Sequence, residues 1–76
     1  MPHVSVKMYP GRTPEQKARL AEAMVRDLVE IVGAAEDSIS VTIEDVAPED
    51  WVEKVYKPDI LPQGDKLFKK PGYDPL

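Results

Sequence analysis

Apolar and polar side chains alternate at the start of the chain, from Pro2 to Met8, in the order PHVSVKM. A period of two over this length predicts a β-strand with one buried face. Pro2 has the parity of the apolar positions. Proline is tolerated as the first residue of a strand because that residue need not donate a ladder hydrogen bond.

A long segment with helical spacing comes after a turn at Pro10-Gly11. Its apolar positions recur every three or four residues, which predicts an amphipathic helix, and they include Leu20, Met24, Leu28 and Ile31. Thr13 is suited to cap this helix, Pro14 to occupy its first position, and Gln16 to complete a capping box. Gly33 tolerates a left-handed conformation and is the expected stop. We therefore predict a helix over residues 14–32.

The segment SISVTIEDV again alternates, with Ile39, Val41 and Ile43 on one parity. Strand, helix and strand in this order predict an α/β fold built on a single β-α-β unit, with parallel strands and a right-handed crossover. Two strands alone do not make a stable sheet. We therefore expect oligomerisation to complete the sheet.

The remainder of the chain is predicted as an additional short C-terminal helix and a tail. APEDWVEKVY carries Trp51, Val55 and Tyr56 on one side, and Tyr56 is suited either to line a pocket with Trp51 or to pack. Pro58 and Pro62 should interrupt the helix after Tyr56. A further helical turn is expected over residues 65–70, and the ending KKPGYDPL is rich in turn formers.

The length, charge and composition of the chain argue against several classes of protein. A chain of 76 residues is expected to form one domain, residues 1–76, and it buries only about 60% of its unfolded surface, which favours self-association. The net charge of −4 argues against a nucleic-acid partner. The lack of cysteine excludes disulfides and thiolate zinc sites. Neither a membrane span nor a signal peptide is evident, so we expect a cytoplasmic protein without a membrane partner.

Pro2 is the residue that most clearly suggests chemistry. Methionine is normally trimmed before a small residue, which leaves Pro2 as a secondary amine at the chain end. Burial disfavours the charged form of such an amine and lowers its pKa towards neutral pH, where a general base works best. Arg12, in the loop after the first strand, is a candidate for a nearby cation. If Met1 is retained, the Pro2 nitrogen is a tertiary amide, and a non-enzymatic oligomeric binding module becomes the alternative.

Several features together resemble the 4-oxalocrotonate tautomerase family: the proline at position two, the alternating strand, GRTPEQK at the helix start, VTIEDV in the second strand, and Trp51. The resemblance extends in register to about residue 55. The longer C-terminus is similar to that of the bacterial subgroup that forms dimers. The resemblance implies an isomerase, a keto–enol tautomerase that needs no metal or cofactor and acts on a small enol or keto carboxylate.

The resemblance also implies roles for individual residues. Pro2 matches the general base and acid, Arg12 the arginine that binds a substrate carboxylate, and Trp51 an aromatic residue that closes the pocket. Ser40 stands where hexameric members have a second arginine. A dicarboxylate should therefore bind less well here than a phenylpyruvate-like enol.

Two questions stay open from the sequence. A hydratase or dehalogenase of small unsaturated acids is an alternative function, although no buried carboxylate that would activate water is obvious. A dimer is expected, and a hexamer is the alternative assembly.

Overall fold

The computed structural model describes all residues from Met1 to Leu76. The chain divides into two units, Met1–Asp45 and Val46–Leu76. The first unit contains β1 (His3–Met8), α1 (Pro14–Val32) and β2 (Ser40–Asp45). This is the predicted β-α-β unit.

β1 and β2 pair in parallel, with Val4 opposite Val41 and Val6 opposite Ile43. The predicted strand order and direction are confirmed, and the sheet has only these two strands. A short 3-10 turn, Glu36–Ser38, delays the start of β2 to Ser40. The N–H of Ile39 is used in this turn, where it donates to the carbonyl of Glu36 over 3.2 Å, so Ile39 does not enter the ladder.

Both ends of α1 carry the predicted signals. The Thr13 hydroxyl accepts a hydrogen bond from the Gln16 N–H at 3.1 Å, and the Gln16 side chain accepts one from the Thr13 N–H at 2.9 Å. This capping box satisfies two donors that the helix itself leaves free. Gly33 ends the helix with φ 71°, and the N–H of Ala34 donates to Leu28 over 3.2 Å. A left-handed glycine directly after the last helical residue is typical of a helix C-terminus.

An ion pair joins the start of α1 to the end of β2. Nζ of Lys17 lies 2.9 Å from a carboxylate oxygen of Asp45, and the two side chains are 27% and 40% exposed. Partly exposed pairs of this kind contribute at most about 1 kcal/mol. The contact also shows where α1 lies, because it places the start of this helix near the carboxyl ends of the strands.

The second unit contains a 3-10 turn, Pro48–Asp50, followed by a π-helix, Val52–Ile60. Its buried residues are Val46, Val55 and Tyr56, at 6%, 4% and 7% exposure. The additional C-terminal helix is therefore present, but the predicted interruption at Pro58 is wrong, since Pro58 lies inside the π-helix. In an α-helix its ring would collide with the carbonyl four residues earlier.

A further 3-10 segment, Leu61–Lys66, comes directly after the π-helix. The helical turn predicted for residues 65–70 is wrong beyond Lys66, because residues 67–70 are not helical. Gly64 interrupts the segment with φ 54° and ψ −122°, and Pro71 disfavours a helical conformation at the residue before it. The tail from residue 69 has no helix or strand, as predicted. No helix of the chain combines the length and the apolar character required to span a bilayer.

Candidate active site

Pro2 lies immediately before β1, at the amino end of the sheet. Its carbonyl oxygen accepts a hydrogen bond from the backbone N–H of Ser40, and the two atoms are 3.2 Å apart. Pro2 is half-buried, whereas Met1 is fully exposed. The backbone of Pro2 is therefore held against the first residue of β2, and the residue in front of it is accessible from solvent.

Ser40 has a second contact at this end of the sheet, with His3. The two residues are register partners, and Nδ1 of His3 lies 2.7 Å from Oγ of Ser40 within a hydrogen bond. Both residues are exposed. Because neighbouring strand residues point to opposite faces, this pair lies on the face opposite to Val41. The hydroxyl predicted to bind substrate thus has an existing partner in His3.

Arg12 is exposed and lies in the loop between β1 and α1. The Lys17–Asp45 ion pair holds the start of α1 near the end of β2, so Arg12 belongs to the carboxyl end of the sheet. Pro2 lies at the opposite end. β1 has six residues, and a strand of that length spans about 20 Å. One chain therefore does not bring the Arg12 guanidinium to Pro2.

Trp51 is half-buried in the second unit, between the 3-10 turn and the π-helix. Its indole Nε1–H donates a hydrogen bond to the hydroxyl of Tyr73 at 3.0 Å. The Tyr73 ring lies against that of Tyr56, with centroids 5.9 Å apart and planes tilted by 48°. These three residues form what we call the aromatic cluster. The burial of Tyr56 favours its packing role over a pocket-lining one.

A mainly apolar, open groove of about 540 Å³ lies between α1 and β2. It is lined by residues that include Ala21, Val25, Val29 and Val41. None of the predicted site residues borders this groove. The chain also contains no group of three His, Cys, Asp or Glu side chains arranged to hold a metal ion.

Comparison with known proteins decides the family. The family model described as "Tautomerase enzyme" matches residues 2–55. The chain belongs to the tautomerase family. A "Probable tautomerase" of Xylella fastidiosa (strain 9a5c) is 40% identical over 76 residues, which cover 100% of this chain and 93% of that relative. "Tautomerase PptA" of Pectobacterium carotovorum subsp. carotovorum (strain PC1) is 40% identical over 74 residues, covering 96% of this chain and 97% of that relative.

The fold agrees with this membership. The crystal structure of YwhB, a homologue of 4-oxalocrotonate tautomerase, matches with a TM-score of 0.58 at 46% sequence identity. The match covers 60% of this chain and 75% of that one. The predicted resemblance and the predicted β-α-β fold are confirmed, and so is the assignment to an enzyme class, the isomerases that carry out tautomerisation.

Sequence reasoning missed two contacts of the predicted site residues. The bond between Ser40 and His3 was accessible in principle, because both residues have polar-face parity and a parallel register pairs them. The bond between Trp51 and Tyr73 was not, because the two residues are separated by 22 positions and the tail has no periodic pattern. The roles of Pro2, Arg12, Ser40 and Trp51 in binding and catalysis stay predictions.

Proposed function

We propose that this protein, once Met1 is removed, is a cofactor-free keto–enol tautomerase with the Pro2 nitrogen as general base and acid. The nitrogen accepts the enol hydroxyl proton and delivers a proton to the substrate carbon, so the reaction consumes no net proton. The observation that carries the proposal is the position of Pro2. The family match begins at this residue. Pro2 is half-buried, and its carbonyl accepts a hydrogen bond from the Ser40 N–H. Met1 is fully exposed and is therefore accessible for removal.

The reaction also needs a group that stabilises the developing enolate, and the proposed group is Arg12. Because Pro2 and Arg12 lie at opposite ends of β1, a site with both residues requires Arg12 from a second copy of the chain. Self-association is consistent with the two-stranded sheet, which is too small to be stable alone. It is also consistent with exposed apolar side chains on α1, where Ile31 and Val32 are 77% and 64% exposed.

The proposed substrate is an enol monocarboxylate with an aromatic ring, of the phenylpyruvate type. Arg12 supplies one positive charge for one carboxylate. Ser40 brings no charge, and its hydroxyl is already hydrogen-bonded to His3 at 2.7 Å. Trp51 supplies an apolar wall suited to an aromatic ring. A dicarboxylate would leave its second charge without a cationic partner, which is unfavourable in a site that excludes water.

The test combines an intact mass with an absorbance assay of enol ketonisation. Native protein should have a mass short by one methionine and should convert phenylenolpyruvate faster than 2-hydroxymuconate. The substitution Pro2→Ala, which still permits methionine removal, should slow turnover by about a hundredfold or more because it replaces the positioned base. A matched control carries one extra residue before Pro2, which makes its nitrogen an amide, and should be inactive. Full-length native mass, or unchanged turnover in Pro2→Ala, would contradict the proposal.

A further inference from the structure

Tyr73 accepts a hydrogen bond from the indole N–H of Trp51. An indole has one N–H donor and no acceptor, and in this chain that donor is bonded to the Tyr73 hydroxyl at 3.0 Å. A change of rotamer at Trp51 would break this bond, so the bond favours the observed orientation of the indole. The tail residue therefore stabilises one orientation of the Trp51 ring.

Tyr73, which is 48% exposed, is restrained by one aromatic contact and by its neighbours in the sequence. Its ring lies against Tyr56, with centroids 5.9 Å apart, and Tyr56 is only 7% exposed. Tilted aromatic pairs at this distance are favourable. Pro71 and Pro75 flank Tyr73 in the sequence and limit the backbone conformations of the tail even where it forms no helix or strand. The tail therefore loses less conformational freedom on ordering than a flexible ending would.

We propose that Tyr73 is a positioning residue that orients Trp51 for binding of an aromatic substrate. This inference rests on the proposed function, in which Trp51 forms a wall of the substrate pocket. A substrate ring stacks favourably only with a correctly oriented indole face. A preoriented indole avoids the loss of side-chain freedom that binding would otherwise require. Tyr73 should accordingly affect substrate affinity and leave the proton transfer at Pro2 unchanged.

The test is the substitution Tyr73→Phe, which keeps the ring and removes the acceptor. KM for phenylenolpyruvate should rise about two- to tenfold, the effect of one neutral hydrogen bond, with kcat unchanged. Trp51 is the only tryptophan of the chain, so its fluorescence reports the same change directly. We expect a red-shifted emission and lower anisotropy. The matched control is Tyr56→Phe, which removes a neighbouring hydroxyl but leaves the Trp51–Tyr73 bond, and should leave KM and the emission unchanged.

A second variant separates positioning from a structural role. In a Trp51→Phe background there is no indole N–H, so adding Tyr73→Phe should change KM no further. The proposal is overturned if Tyr73→Phe leaves KM unchanged, if it lowers kcat instead, or if its effect persists in the Trp51→Phe background. Loss of the folded state in Tyr73→Phe would also overturn it, since Tyr73 would then be structural.

The outcomes also distinguish this inference from the proposed function. If processed wild-type protein turns over no enol, the proposed function fails. Binding of phenylpyruvate, measured by quenching of Trp51 fluorescence, then tests Tyr73 alone. An equal affinity for phenylpyruvate in wild type and Tyr73→Phe would overturn the role of Tyr73.

Discussion

Arg12 should act on the Pro2 of a second copy, and a mixed dimer tests this arrangement. A chain with Pro2→Ala and a chain with Arg12→Ala are co-expressed with two different tags placed after Leu76, so that the amino ends stay free. Purification through both tags isolates dimers that contain one chain of each kind. Light scattering establishes the oligomeric state first, and ketonisation of phenylenolpyruvate is then followed by ultraviolet absorbance.

The length of β1 is the reason to expect that each site is shared between two chains. The strand has six residues and separates Pro2 from the Arg12 loop by about 20 Å, whereas a charge influences an ionisable group strongly only within about 4–6 Å. Arg12 of the same chain is therefore too distant. In the mixed dimer one site contains both native residues and the other contains neither, so kcat should be about half that of wild type. The Arg12→Ala homodimer should lose about ten- to a hundredfold in kcat/KM through its charged hydrogen bonds.

The matched control is a dimer of wild-type chain with a chain carrying both Pro2→Ala and Arg12→Ala. Each of its sites then lacks one residue if the site is shared, and kcat/KM should fall at least about tenfold below that of wild type. A site contained in one chain gives the opposite pair of results. The first mixed dimer would then lose at least about tenfold in kcat/KM and the control would retain about half of the wild-type value, which would refute the reasoning from the strand length.

Two further predictions concern the capping box and the uncharged serine. Thr13→Ala should reduce the free energy of unfolding by about 1 kcal/mol, because it removes the bond from the Thr13 hydroxyl to the Gln16 N–H; urea unfolding followed by circular dichroism measures this, with Thr13→Ser as control. A change below about 0.3 kcal/mol would mean that the cap does not stabilise α1. Ser40→Arg should increase kcat/KM for 2-hydroxymuconate relative to phenylenolpyruvate, because an exposed position beside Pro2 then carries a second positive charge. If the ratio of kcat/KM for the two substrates stays unchanged, Ser40 does not contribute to substrate binding.

The first half of the fold was predictable because its signals are local. Alternation over β1 and the capping box at Thr13 and Gln16 depend on residues at most three or four positions apart. Gly33 ends α1 because of its own backbone freedom. Such interactions are present in any short segment of the chain, so the pattern of the sequence was sufficient to place β1, α1 and the parallel β2.

The second half was predictable only in outline. Pro58 is a reliable interruption of an α-helix, but the chain accommodates it in a π-helix over Val52–Ile60. Val55 and Tyr56 of this helix are buried, and burial involves residues that are distant in the sequence. The last helical segment lies at Leu61–Lys66, closer to the amino end than predicted, and Gly64 within it has a non-helical conformation.

The sequence by itself determined the family, the order of the elements and the candidates for chemistry, since each was carried by residue identity and short-range spacing. Only the tertiary structure showed that Pro2 and Ser40 share one end of the sheet while Arg12 lies near the other. It alone showed that Tyr73 bonds to Trp51 across 22 positions. The reason is physical: local hydrogen bonds and side-chain parity select helices and strands, whereas the distance between two side chains on different elements is set by how those elements pack.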